Sequence, residues 1–199
     1  MLMSSQSQSK KRFDLYTIVA VGLLAALVFA SSFLRIKIPT PFGDNTAIHL
    51  GNVLCLLSGL LLGGLNGGLA AGLGSFVFDL VDPVYISSAP YTLVFKFLLA
   101  FVCGVIAHAG SRKGENTVTN IIGAVSGSLT YVVLYLTKSF VFNIWFDRTT
   151  VEVAWVNVAV KAATSLTNAI IACAVAVPLA FAVRRALKNT TIYKRIMSR

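Results

Sequence analysis

Charged side chains are scarce in this sequence. Lys, Arg, Asp and Glu together make up 12% of the 199 residues, and only seven of them are acidic. An ordinary soluble domain carries about 25%, because charged and polar groups cover its water-facing surface. With 56% hydrophobic residues and a mean hydropathy of +0.79, this chain cannot make such a surface and reads as an integral membrane protein. That excludes a disordered segment, a nucleic-acid-binding module and an ordinary soluble enzyme. The net charge of +10 comes as much from scarce acids as from abundant bases, so the pI of 9.9 is a signal of membrane topology.

Other absences narrow the function. Cys55, Cys103 and Cys173 each stand alone in an apolar run, without the short pair spacings of zinc or redox sites. They read as small packing residues, and a disulfide framework is excluded. The chain has no G-x-x-x-x-G-K-[ST] phosphate loop, no H-E-x-x-H and no G-x-S-x-G elbow, so neither ATP hydrolysis nor a catalytic or metal set is expected, and no cofactor is implied. No inverted repeat with interrupted helices is evident, which argues against a self-sufficient secondary transporter. The N-terminal MLMSSQSQSKKR precedes an apolar run that ends at Arg35 without a small-residue cleavage site, so a cleaved signal peptide is not expected.

What is present is hydrophobic length. A membrane span needs about twenty mostly apolar residues, and the runs are Asp14 to Leu34, Ile48 to Leu65, Gly67 to Val81, Tyr91 to Ala109, Val118 to Phe146 and Val153 to Leu187. The expected fold is an all-α six-transmembrane-helix bundle over residues 14–188, with a segment 1–13 before it and a basic tail 189–199 after it. Lys10, Lys11, Arg12, Arg112, Lys113, Arg184, Arg185, Lys188, Lys194, Arg195 and Arg199 fall on one side of such a bundle. Asp44, Asp79, Asp82, Asp147 and Glu152 fall on the other. Excess Lys and Arg mark the cytoplasmic side, which places both termini there.

Small residues cluster in two places. The run from Leu57 to Gly74, LSGLLLGGLNGGLAAGLG, lets helix backbones approach closely and reads as packing of the second helix on the third. In the first helix, Gly22, Ala26 and Ala30 form a stripe that suits either packing or docking of another membrane protein.

Ionisable residues at membrane depth are costly and usually functional. Lys96, Lys138 and Lys161 lie in the outer halves of helices four, five and six, and Asp79 closes helix three on that side. Asn157, Lys161, Ser165 and Asn168 follow at i, i+4, i+8 and i+11, one face of a helix. Tyr131, Tyr135, Asn143, Trp145 and Trp155 lie in the same two helices. The lysines could snorkel to the outer headgroups. Their company of amides and aromatics points instead to a pocket for a small polar ligand, open to the outside. The candidate binding residues are Lys96, Tyr135, Lys138, Trp155, Asn157, Lys161, Ser165, Asp79 and His49, the last at a helix start where a structural role is also common.

The order and spacing of Gly22-Leu23-Leu24-Ala25-Ala26, Ile48-His49-Leu50-Gly51-Asn52, Leu60-Leu61-Leu62-Gly63-Gly64 and Gly72-Leu73-Gly74-Ser75 resemble the substrate-binding S components of energy-coupling factor (ECF) vitamin transporters over roughly residues 14 to 188. The resemblance implies a high-affinity capture subunit in a bacterial plasma membrane, working with a transmembrane scaffold (T component) and two cytoplasmic ATPase subunits. It further implies that Gly22, Ala26 and Ala30, matching an Ala-x-x-x-Ala motif, dock on the scaffold, and that helices four to six hold the ligand. His49-Leu50-Gly51 is similar to pantothenate-specific members, with Asn52 where Asp is expected there. The lysines suit a carboxylate such as pantothenate, whereas Trp155, Trp145 and Tyr135 suit a flat ring such as hydroxymethylpyrimidine or pyridoxine, and both alternatives stand. A competing class is a structural or assembly subunit of another membrane complex. An intramembrane enzyme is disfavoured because His49 and His108 lie near opposite ends of the bundle.

Overall fold

The computed structural model describes residues 15–39, 45–111, 113–190 and Tyr193. The chain runs α1 (Leu15–Ser32), a hairpin of β1 (Arg35–Pro39) and β2 (Asn45–His49), then α2 (Gly51–Leu62), α3 (Gly64–Val81), α4 (Ala89–Ala107), α5 (Thr117–Trp145) and α6 (Val151–Leu187). Five of the six α-helices are long and apolar enough to cross a bilayer. Basic segments 1–13 and most of 189–199 lie outside the described residues, as do Asp44 and Arg112.

Two expectations change. The bundle is not purely α: β1 and β2 pair antiparallel from Arg35 opposite His49 to Pro39 opposite Asn45, using the Arg-Ile-Lys-Ile alternation between the first two apolar runs. The second run is also shorter than a span. Ile48 and His49 are spent in β2, and Gly63, at φ +78, turns the chain after Leu62. The remaining 12 residues of α2 rise about 18 Å, against a hydrocarbon core of about 30 Å. Every α2 residue except Leu54 is buried, as expected of a helix that is apolar all round. It is the axis of the bundle, with Leu56 and Leu60 packed among Leu99, Cys103, Ala124 and Ala176 in one core.

The small-residue run does pack helices. A Cβ on Gly67 would lie 2.5 Å from the Gly59 Cα, and one on Gly74 would lie 2.3 Å from the Ala25 carbonyl oxygen. Side chains are absent where α3 crosses α2 and α1 because nothing larger than hydrogen fits there. Large apolar side chains such as Ile18, Leu23, Leu129, Val133 and Ile170 cover the outside, the surface a bilayer would wet.

Charged side chains fasten both ends of the bundle. At one end Arg184, buried on α6, donates from its guanidinium to the carbonyls of Leu60 and Lys113, tying α6 to α2 and to the α4–α5 connection. At the other end Arg35 of β1 pairs with Asp82 just past α3, with Lys37 3.9 Å from the same carboxylate. The hairpin is fastened on its far side as well. The His49 backbone N–H donates to Asn168 Oδ1 at 3.0 Å, and Asn168 Nδ2 donates to the Ala47 carbonyl at 2.7 Å.

Candidate functional site

A cavity of about 470 Å³ opens at the hairpin end of the bundle, walled by the hairpin, the last turns of α3, and the adjoining ends of α4, α5 and α6. Helical spacing supplies its walls. Lys96 and Tyr91 come from α4, and Tyr131, Tyr135, Lys138 and Phe142 come from successive turns of α5. Lys161, Ser165 and Asn168 come from one face of α6, while His49 and Thr46 of β2 and Asp79 of α3 close the remainder.

Inside, each lysine meets both a polar partner and an aromatic ring. Lys96, 4% exposed, donates to Asn52 Oδ1 from α2 and lies 3.8 Å from the Tyr131 ring centre. Lys161, 3% exposed, donates to Ser139 Oγ at 2.7 Å and stands 5.9 Å from the Tyr135 ring. Lys138 donates to Ser88 Oγ at 3.1 Å and sits 4.6 Å from the Phe142 ring. A desolvated cation over an aromatic face gains about 2 kcal/mol, an appreciable part of the few kcal/mol that a charge at membrane depth costs. The ammonium groups of Lys96 and Lys161 therefore point into the protein, and neither lysine snorkels.

The rings form a platform. Tyr131 and Tyr135 are parallel within 6°, with centroids 5.8 Å apart, and the Tyr135 hydroxyl donates to Thr46 Oγ1 at 3.5 Å. Among the described residues, two buried nitrogens at the wall have no hydrogen-bond partner: His49 Nδ1 and Asn143 Nδ2. Unsatisfied buried polar groups are uncommon in folded proteins and call for an explanation.

Seven of the nine predicted binding residues share this wall: Lys96, Tyr135, Lys138, Lys161, Ser165, Asp79 and His49. Asn157 does not reach it. Buried one turn beyond Lys161, it donates from Nδ2 to Asn143 Oδ1 at 3.2 Å and stands behind the wall. Trp155 is a correction: it is 60% exposed and packs on Phe140 on the outside of the bundle, because two residues along a helix rotate it away from the Asn157 face. Trp145 is 77% exposed and is likewise outside. The aromatic lining is made by Phe78, Tyr85, Tyr91, Phe95, Tyr131, Tyr135 and Phe142; the four-residue steps Tyr91 to Phe95 and Tyr131 to Tyr135 are the sequence signal for its helical part. Arg35, which also lines the cavity, lies in a strand too short to show in the hydrophobic pattern. On α1, Gly22, Ala26 and Ala30 all face outward, while Leu24 and Val28 face the core.

Among the described residues, the fold is thus a bundle of apolar helices around a polar, aromatic-walled cavity open at one end, an architecture able to hold a small solute. The chain matches the ECF-type riboflavin transporter S component family over residues 12–185, and it belongs to that family. No curated protein matches it. The chain is thus the substrate-binding, non-catalytic kind of transporter subunit that the resemblance implied. The family's named substrate is riboflavin, which is neither the hydroxymethylpyrimidine or pyridoxine type of ring nor the pantothenate expected from the lysines, the tryptophans and the His49 segment.

Proposed function

We propose that this chain captures riboflavin from outside a bacterial cell and passes it inward when docked on a transmembrane scaffold energised by two cytoplasmic ATPases. The observation that carries the substrate is the cavity wall, in which parallel tyrosines adjoin neutral hydrogen-bonding groups. Riboflavin is uncharged and combines a flat three-ring system bearing two carbonyls with a chain of hydroxyl groups. Tyr131 and Tyr135 offer ring faces for stacking. Asn143 Nδ2 and the ammonium groups of Lys96 and Lys161 are donors suited to ring carbonyls, and Thr46, Ser139 and Asn168 suit the hydroxyl chain. For docking, the exposed small stripe of Gly22, Ala26 and Ala30 is the surface proposed to meet the scaffold, since small residues allow close helix approach where lipid offers no hydrophobic drive. ATP is hydrolysed by the partner subunits in this reading, and both termini of this chain are cytoplasmic.

The test is direct because riboflavin is fluorescent. Titrating riboflavin with the purified chain in detergent should quench the flavin emission saturably at one ligand per chain. An excess of pyridoxine, hydroxymethylpyrimidine or pantothenate should leave the curve in place. Absence of saturable quenching, or displacement by one of those three at equal concentration, would reject riboflavin as the substrate.

A further inference from the structure

A second concavity lies well away from the ligand cavity, between the outer faces of α5 and α6. It is a groove of about 560 Å³ lined by Ile121, Leu129, Leu166 and Ile170 together with smaller residues that include Ala174. The two polar side chains of the lining, Ser128 and Cys173, are paired with each other at 3.5 Å. The groove therefore asks no hydrogen bond of an occupant. From Leu166 to Pro178 it follows α6 for about 18 Å, close to the roughly 15 Å of one bilayer leaflet. An apolar groove of one leaflet's depth is suited to a hydrocarbon chain lying along it.

Charge then names the headgroup. Beyond Pro178 the same face of α6 continues into exposed basic residues. Arg185 is seven residues after Pro178 and Lys188 eleven after Val177, both spacings that return to one helix face. They lie about 10–15 Å past the end of the groove, within the reach of flexible stems that extend toward a headgroup layer. Arg184 is turned inward onto Leu60 and Lys113. Glu115, an acidic residue on the adjoining connection, is engaged by the Tyr193 hydroxyl. Arg185 and Lys188 are exposed at this end of α6, and no ion pair to either is seen among the described residues.

We propose that the α5–α6 groove binds one anionic phospholipid, an acyl chain lying along Leu166 to Pro178 and the phosphate headgroup meeting Arg185 and Lys188. The site is independent of the solute cavity and of its substrate. It is tested on the full chain in detergent by native mass spectrometry, comparing retention of phosphatidylglycerol with that of phosphatidylcholine carrying the same acyl chains. Wild-type protein should retain one phosphatidylglycerol in preference to phosphatidylcholine. Each of Arg185→Gln and Lys188→Gln should reduce that retention about fivefold, from about 1 kcal/mol for each basic residue at an anionic surface, and the pair should abolish the preference. Ala174→Trp, which fills the groove, should remove the one-to-one adduct of both lipids. Equal retention of the two lipids by wild type, or unchanged retention in the double charge variant, overturns the proposal. The charge variants sit on an exposed helix end, so their comparison with wild type remains decisive even if the Trp variant does not fold. Unchanged lipid retention in a folded Ala174→Trp that no longer assembles with its transporter partners would make the groove a helix-docking site instead, and would equally overturn it.

Discussion

At the scale of single residues, the central question is what a buried ammonium does when its pocket fills. Lys161 donates to Ser139 Oγ at the cavity wall, where its ammonium group can also meet a bound ligand. Loss of a charge-assisted hydrogen bond to a ligand costs about 1.5–3 kcal/mol, so Lys161→Ala should weaken riboflavin binding roughly ten- to hundredfold. Trp155→Ala, on the outside of the bundle, should change it less than twofold. Both are read from fluorescence titrations on purified protein. Wild-type affinity in Lys161→Ala and in Lys96→Ala would return both lysines to a structural role. The lysines are legible in the sequence because charge inside an apolar run is expensive whatever the fold. The tryptophans mislead because their position two residues off the polar stripe decides which side of the helix they take. Asn52 as the partner of Lys96 is out of reach, since it sits 44 residues away on a helix whose placement depends on the whole bundle.

At the scale of elements, α1 uses its two faces differently. Leu24 and Val28 face the core, and Gly74 of α3 meets the backbone at Ala25. Gly22, Ala26 and Ala30 face away, and a Cβ on Gly22 would meet nothing within 4 Å. Ala26→Leu should therefore abolish riboflavin uptake by the assembled transporter while leaving binding by the isolated chain within about twofold. Loss of binding with assembly intact would mean that the docking and ligand surfaces have been exchanged. The packing role of the Leu57–Gly74 run is readable from its four-residue spacing of small side chains. The fate of α2 is not. A short apolar run is compatible with both a buried helix and part of a span, and only its enclosure by α1, α3, α4 and α6 makes it an interior axis. The hairpin is equally hard to read, because five-residue strands between two helices carry little periodic signal and their pairing is stabilised by contacts to Asp82 and Asn168 from distant parts of the chain.

At the scale of the whole molecule, the basic end of α6 and the α5–α6 connection lie at opposite ends of the bundle, and this leads to a topology prediction. Arg185 and Lys188 sit at the end of α6, whereas Arg148 lies in the connection from α5 to α6 at the opposite end. A membrane-impermeant thiol reagent added to intact cells should label Arg148→Cys and leave Lys188→Cys untouched. The reverse pattern would invert the orientation and place the ligand cavity on the cytoplasmic side. Composition alone determined that the chain is a membrane protein, because too few polar groups exist to cover a soluble surface. Run lengths and the spacing of Lys96, Lys138 and Lys161 likewise determined that it is a helical bundle with polar groups gathered toward one end, because helix period and the cost of buried charge are local properties. The tertiary structure decided which of those groups share a cavity, that tyrosines and not tryptophans form its wall, and that α2 lies inside. Each of these depends on how a helix is rotated and how far it is enclosed by neighbours distant in sequence, and no local pattern encodes that.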